Sequence, residues 1–195
     1  MNYILASASP RRKDILQSLG LSFRILTADT DEACEERDPC RLAQLLAEKK
    51  GLAVQERLLA EGASLSDTVI LSADTVVYCN GEILGKPKDR EDARRMLRML
   101  SGNEHTVVSG IALTYNGISH TDCSVTHVCF DPIPEGDLER YLDTDEAYDK
   151  AGAYGIQGYA SLWVREIRGS YFGVVGLPVR CLNCLHHTLF GTPLV

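Results

Sequence analysis

The run Ile4-Leu5-Ala6-Ser7-Ala8-Ser9, passing at once into Pro10-Arg11-Arg12, constrains this chain more than any other segment. A short apolar run that halts at small hydroxyl residues reads as a buried strand. Ser9 suits a helix N-cap and Pro10 the first helical position, and Ile15, Leu16 and Leu19 carry an apolar stripe up to Gly20. Strand, turn and helix together leave unpaired backbone N–H groups at a helix start, with two guanidinium groups in the first turn. Such donors beside fixed positive charge form a seat for phosphate. Taken alone, the same segment equally describes a capped surface helix with two solvated arginines.

The rest of the chain narrows the choice. Its 195 residues suffice for one sizeable core, and 45% apolar with 24% charged residues is the make-up of an ordinary globular protein. A formal net charge of -7 argues against general nucleic-acid binding, since a phosphate backbone would be repelled. No apolar run approaches the roughly 18 residues that span a bilayer, so no membrane association is expected. Arg11, Arg12, Lys13 and Asp14 stand where a signal peptide would need apolar residues, which points to a cytoplasmic protein. The cysteines at 34, 40, 79, 123, 129, 181 and 184 are odd in number and mostly lie in apolar segments. They read as small buried hydrophobes in a reducing compartment. Cys181 and Cys184, followed by His186 and His187, resemble half of a zinc site that lacks a second pair, on a C-terminal helix from Leu177 to Leu189 whose Leu182, Leu185 and Leu189 face the core.

No linker, repeat or low-complexity tract divides the chain, so a single domain over 1–195 is expected. Phe23 to Leu26 reads as a strand, and the acidic loop Asp29 to Asp38 leads to a helix from Arg41 to Glu61. Gly51 inside that helix marks a kink or a close packing contact. Thr68 to Cys79 is strand-like and turns at Asn80-Gly81 into Ile83-Leu84, and Asp89 caps a helix that ends near Leu100. His105 to Tyr115 and Ile118 to Phe130 form a long hairpin at Asn116-Gly117. A helix at Asp137 to Leu142 precedes the glycine-rich loop Asp145 to Gly158, and a second hairpin joins Leu162–Ile167 to Tyr171–Val175. Helices alternating with long antiparallel pairs predict an α/β fold with a mixed sheet.

Four segments carry residues that packing does not require. In Val69-Ile70-Leu71-Ser72-Ala73-Asp74-Thr75-Val76-Val77 a carboxylate interrupts an apolar strand. A buried Asp needs a partner, a hydrogen bond or a metal, whereas one on the strand's polar face with Ser72 would simply meet solvent. Gly85-Lys86-Pro87-Lys88-Asp89 places lysines in a turn. Asp149-Lys150-Ala151-Gly152-Ala153-Tyr154-Gly155-Ile156-Gln157-Gly158 brings backbone close to something, and Gln157 offers a donor and an acceptor in one plane. Leu46-Ala47-Glu48-Lys49-Lys50, with Glu32 upstream, adds charge to a helix face. Cations that neutralise phosphates, carboxylates suited to a divalent metal and an amide on a glycine loop are the tools for hydrolysing a nucleotide phosphoanhydride. The G-x-x-x-x-G-K-[ST] loop of ordinary triphosphatases is missing.

The ordered set of motifs resembles the Maf family of nucleotide pyrophosphatases. It comprises L-A-S-A-S-P-R-R at 5–12, S-A-D-T-V-V at 72–77, L-S-G at 100–102 with His105, G-K-P-K-D at 85–89, the decapeptide at 149–158 and V-V-G-L-P at 174–178. The resemblance runs from about residue 3 to 185. It implies an elongated α/β fold with flanking helices and a deep cleft between two lobes, like that of inosine triphosphate pyrophosphatases. It also implies a cytoplasmic homodimer that uses Mg²⁺, Mn²⁺ or Co²⁺ to split nucleoside triphosphates into monophosphate and pyrophosphate, a house-cleaning activity. Asp74 matches the catalytic carboxylate, with Glu32 a second candidate metal ligand beside it. Ser7, Arg12, Glu32, Lys50, Lys86 and Gln157 match substrate-binding positions, with Lys49 an alternative to Lys50. Arg11, Thr75 and Gln157 match the family branch that prefers dTTP and UTP, and a planar amide can satisfy two adjacent groups of a uracil edge. Two rivals remain: a nucleotide-binding regulator of cell division without turnover, and a nucleic-acid binder using Arg11 to Lys13. An intact Asp74 speaks against the first, the acidic charge against the second.

Overall fold

The computed structural model describes residues 1–31 and 33–195. It divides into two compact units, the first of Met1–Asp74, Ser109–Ser124 and Gly176–Val195, the second of Thr75–Val108 and Val125–Val175. A seven-stranded mixed sheet has the order β2-β1-β3-β5-β6-β7, with β4 paired to β3.

The first unit is built on parallel strands. β1 (Asn2–Leu5) lies between β2 (Phe23–Ile25) and the start of β3 (Thr68–Cys79), parallel to both. The chain leaves β1 through α1 (Pro10–Ser18), forms β2, then returns across β1 through α2 (Pro39–Ala60) to reach β3. The direction of winding therefore reverses at β1, and in open sheets of this kind ligands bind beyond the carboxyl ends of the strands at that reversal. Helix α2 starts where the Asp38 carboxylate accepts the Arg41 N–H at 2.8 Å, with Pro39 in the first turn. It buries Leu42, Ala43, Leu46, Ala47, Gly51, Val54 and Leu58, one face at three- and four-residue spacing. Val54 and Leu58 pack with Ile4, Ala6 and Ile70 of the sheet, and Leu26 and Leu65 close that cluster.

The second unit is built on hairpins and short helices. Asn80 and Gly81 both have positive φ, 50° and 86°, which matches the twist of the flanking strands and returns the chain as β4 (Glu82–Leu84). α3 (Arg90–Leu100) begins at Asp89, whose carboxylate accepts the Asp92 N–H at 2.8 Å. β5 (Glu104–Tyr115) and β6 (Ile118–Phe130) turn at Asn116-Gly117, as their sequence predicts, and run through residues of both units. α4 (Glu135–Leu142) is clamped to α3 by Glu139, which takes Arg94 at 2.6 and 2.8 Å and Arg90 at 2.9 Å. Those guanidinium groups hold the Glu139 carboxyl far below its usual range. β7 (Val164–Arg168) completes the sheet antiparallel to β6.

Several expectations are corrected. Tyr171–Val175 is a short helix, α5, rather than a strand paired with 162–167. Its β-branched and aromatic residues favour a strand, but the Ser170 hydroxyl accepts the Gly173 N–H at 3.0 Å and so starts a helix. Ser9 occupies the cap position of α1 without a side-chain cap; its own N–H donates to the Ser7 hydroxyl instead. The cysteines are not uniformly buried thiols. Cys40 and Cys123 form a disulfide across 83 residues within the first unit, Cys34 and Cys184 are exposed, and Cys79 and Cys129 are buried. On α6 (Val179–Phe190), Leu182 is buried while Leu185 and Leu189 are half-buried. His186 is buried with structural partners at both nitrogens, Tyr3 Oη at 2.7 Å and the Thr192 carbonyl at 2.9 Å.

Candidate active site

Strand alternation decides where Asp74 points. Ser72 and Asp74 share one face of β3, and that face is covered by α2. The buried Ser72 hydroxyl donates to the carbonyl of Ala47 on α2 at 2.6 Å. One turn on, the Lys50 ammonium donates to Asp74 Oδ1. The side chains are 21% and 13% exposed, so the pair is shielded yet reachable. The solvent-facing alternative for Asp74 is thereby excluded, and the one-residue ambiguity at the helix is removed. Lys49 turns away, donating to the carbonyls of Ala33 at 2.9 Å and Asp31 at 3.4 Å.

At the end of the neighbouring strand, the Ala6 N–H donates to the Leu71 carbonyl at 2.8 Å, which locks the exit of β1 to β3. Ser7, buried, follows directly. Its hydroxyl accepts a hydrogen bond from Arg12 Nη1 at 3.1 Å, and Arg12 Nε donates to the Gly176 carbonyl at 2.8 Å. Held at two points, the guanidinium is a pre-oriented donor for an oxyanion. Arg11 is half-buried in the same first turn of α1.

Thr75, Lys86 and Gln157 belong to the second unit. Thr75 is half-buried, Lys86 and Gln157 are exposed. The Gly152 N–H donates to the Gly85 carbonyl at 3.0 Å, which ties the glycine-rich loop to the turn that carries Lys86. Gly152 has φ 70°, and a side chain there would press on Val77 at 3.0–3.2 Å. The loop around Gln157 is wrapped on Glu146. That carboxylate accepts the Tyr159 N–H at 3.0 Å and the Tyr141 hydroxyl at 3.3 Å, and a Cβ on Gly158 would collide with it. Beneath the loop, Tyr154 Oη lies 2.8 Å from His105 Nε2, and both rings pack edge-on against Phe130. Burial pushes His105 down to about 4 and raises the Tyr154 hydroxyl far above its usual range.

The structure thus joins Ser7 to Arg12 and Lys50 to Asp74 in one unit, and holds the turn of Lys86 to the loop of Gln157 in the other. Glu32 lies outside the described residues. The sequence places Ser72 on the face of Asp74 and Gly176 in V-V-G-L-P, but the parts played by the Ser72 hydroxyl, the Gly176 carbonyl and Glu146 are not legible in it, because each depends on a partner outside its own segment. Among the described residues no three His, Cys, Asp or Glu side chains are grouped so as to hold a metal ion, Cys181, Cys184, His186 and His187 included. A lone carboxylate is nonetheless what a hard divalent cation commonly takes from protein when phosphate oxygens and water supply the rest, and Asp74 fits that part. Among the described residues no helix is long and apolar enough to cross a membrane.

A tethered arginine and a lysine–carboxylate pair near the carboxyl ends of parallel strands give this α/β protein a charged site suited to phosphate chemistry. The chain belongs to the Maf family, whose sequence model, described as Maf-like protein, matches residues 2–188. It is 45% identical over 194 residues to a dTTP/UTP pyrophosphatase of Clostridioides difficile, covering 98% of this chain and 96% of that protein. A dTTP/UTP pyrophosphatase of Caldanaerobacter subterraneus is 44% identical over 193 residues, covering 98% and 90%. One of Pyrococcus abyssi is 44% identical over 177 residues, covering 91% and 90%. Among solved structures, the Staphylococcus aureus Ham1 protein gives a partial overlay with a TM-score of 0.47 at 12% identity, over 67% of this chain and 72% of that one.

Proposed function

We propose that this chain is a nucleoside triphosphate pyrophosphatase that converts dTTP and UTP to the monophosphate and pyrophosphate. The observation that carries the reading is the Lys50–Asp74 pair, one strand from the Ser7–Arg12 seat, in a chain whose near-full-length relatives bear that name. Arg12, fixed by Ser7 and Gly176, neutralises phosphate charge that builds up in the transition state, and Lys86 adds a second cation. Asp74 orients and deprotonates the attacking water, with its carboxylate aimed by Lys50. Asp74, with Glu32, would hold a divalent cation such as Mg²⁺, Mn²⁺ or Co²⁺. When bound, that cation supplies Lewis-acid charge to the phosphate oxygens. Arg11, Thr75 and Gln157 select the pyrimidine, the Gln157 amide pairing with adjacent donor and acceptor groups of uracil or thymine. The working form is one functional unit over 1–195, acting as a cytoplasmic homodimer, a state that analytical ultracentrifugation reads directly.

The test is a panel of nucleoside triphosphates assayed with each of the three cations, with pyrophosphate and orthophosphate measured separately. Turnover in ¹⁸O-labelled water is expected to place the label on the monophosphate. Release of orthophosphate with a diphosphate left behind would mean attack at the terminal phosphorus and would overturn the reading.

A further inference from the structure

We propose that Gly51 is a positioning residue for the Lys50–Asp74 pair. By carrying no side chain, it lets α2 sit close enough to β3 and β5 for the ammonium of Lys50 to reach the carboxylate of Asp74. The inference rests on the roles given above to Lys50 and Asp74, and concerns how that pair is held.

Three contacts, four residues apart along α2, seat the helix on the sheet. At Ala43 the helix backbone lies directly on Gly110 of β5, where any Cβ would collide with the Ala43 carbonyl group. At Ala47 the helix carbonyl accepts the buried Ser72 hydroxyl at 2.6 Å. At Gly51 a Cβ would fall 2.8 Å from Thr114 Oγ1 and 2.9 Å from Ser72 Oγ, distances that side-chain carbons do not adopt. Four residues make slightly more than one turn, so the contacts form a line down one face. Ala43 and Ala47 are fully buried, and Gly51 is buried as well. Lys50 directly precedes the last contact, so its reach is set by how closely that turn approaches β3.

Local propensity points the other way. Glycine in a helix interior is less favourable than alanine, so by propensity alone Gly51→Ala would stabilise α2. The obstructing oxygens predict the opposite sign. Neither oxygen swings away freely: Ser72 Oγ is committed to Ala47, and Thr114 Oγ1 lies 2.7 Å from Ser119 Oγ. Relief therefore comes by lifting the turn that carries Lys50, and sub-ångström misplacement of a catalytic pair is costly to turnover.

The experiment compares Gly51→Ala in two backgrounds, wild type and Ser72→Ala/Thr114→Ala, which removes both oxygens. Each protein is read by kcat and KM for dTTP and by the ¹H–¹⁵N signal of the Lys50 ammonium, visible while it is held in its ion pair. In the wild-type background Gly51→Ala should lower kcat about tenfold with KM within about twofold, and the Lys50 signal should vanish. In the double-alanine background the same change should cost less than about twofold and leave the signal in place, the non-additivity expected of groups in contact. Unchanged kcat and signal in Gly51→Ala would overturn the proposal, as would a lower melting temperature with both readouts intact, since Gly51 would then be structural only. Loss of the signal with full turnover would uphold the positioning and instead remove Lys50 and Asp74 from catalysis. Should Gly51→Ala fail to fold, Ser72→Cys places a larger atom at the same contact and is read in the same way.

Discussion

The Lys50–Asp74 pair and the Gln157 loop differ in what holds them. The first stands on a buried strand and a 22-residue helix, seated through backbone contacts. The second stands on a segment with no strand and only short 3₁₀ helices, shaped by glycines and by one half-buried carboxylate, Glu146. Groups that move protons and oppose phosphate charge need tenths of an ångström, which regular elements supply. A group that reads a base edge needs a surface that can be reshaped without disturbing the core, which a loop supplies. On the proposed roles, damage to the strand site should remove turnover whatever the base, and damage to the loop should remove discrimination first.

The largest expected effect is at Asp74. Asp74→Asn keeps shape but removes the negative charge and the basic oxygen, so turnover of dTTP should fall at least about a hundredfold. Nucleotide binding, measured by calorimetry, should survive because Arg12 and Lys86 are untouched. Wild-type turnover in saturating metal would move the search for the carboxylate to Glu32. Gln157→Glu comes next. An ionised carboxylate loses the amide donor and sets an acceptor against a base carbonyl, at a cost of about 1–3 kcal/mol in discrimination. The ratio of kcat/KM for UTP over CTP should drop accordingly, and an unchanged ratio would take Gln157 out of base recognition.

Glu146→Ala sharpens the comparison, because Glu146 is assigned no contact with substrate. Loss of its bonds to Tyr159 and Tyr141 should loosen the loop and erode UTP-over-CTP selectivity several-fold, with kcat for dTTP reduced less. Glu146→Gln, which keeps an acceptor for the Tyr159 N–H, should restore most of the selectivity. Equal loss of turnover and selectivity in Glu146→Ala would erase the distinction between the two regions.

The smallest effect is a pH dependence seated under the loop. His105 binds its proton only near pH 4 when folded but near 6.5 when unfolded, so below 6.5 the unfolded chain takes up the proton that the folded one refuses. Its contribution to stability is therefore complete above that range and is lost as pH falls from 6.5 towards 4. Between pH 7.5 and 5.5 the loss attributable to His105 is about 1 kcal/mol, a melting-temperature decrease of roughly 2–4 °C. His105→Asn should lack that part of the slope. Hydrogen exchange at pH 5.5 should rise in the loop containing Tyr154 before it rises in β3.

Much of the fold was legible because local chemistry and tertiary structure agree. The Asn80-Gly81 and Asn116-Gly117 turns, the Asp38 and Asp89 caps and the apolar face of α2 each needed only neighbouring residues. Reading failed where a competing local bond or a distant partner decided the outcome. Tyr171–Val175 has strand composition, yet the hydroxyl of Ser170 starts a helix there. Cys40 and Cys123 are 83 residues apart, and their pairing depends on α2 being laid beside β6. Among the site residues, Asp74 stood out as a carboxylate in an apolar strand. Glu146 is one acid among many, and only the loop folded onto it shows its place.

The sequence by itself determined the type and order of nearly all elements, the family and the candidate side chains for its chemistry, because these depend on residue type and short spacing. Tertiary structure alone decided which lysine meets Asp74, what holds Arg12 and why residue 51 has no side chain. Each of those depends on how closely a helix approaches a sheet, and that distance is set by backbone and side-chain contacts between residues far apart in the chain.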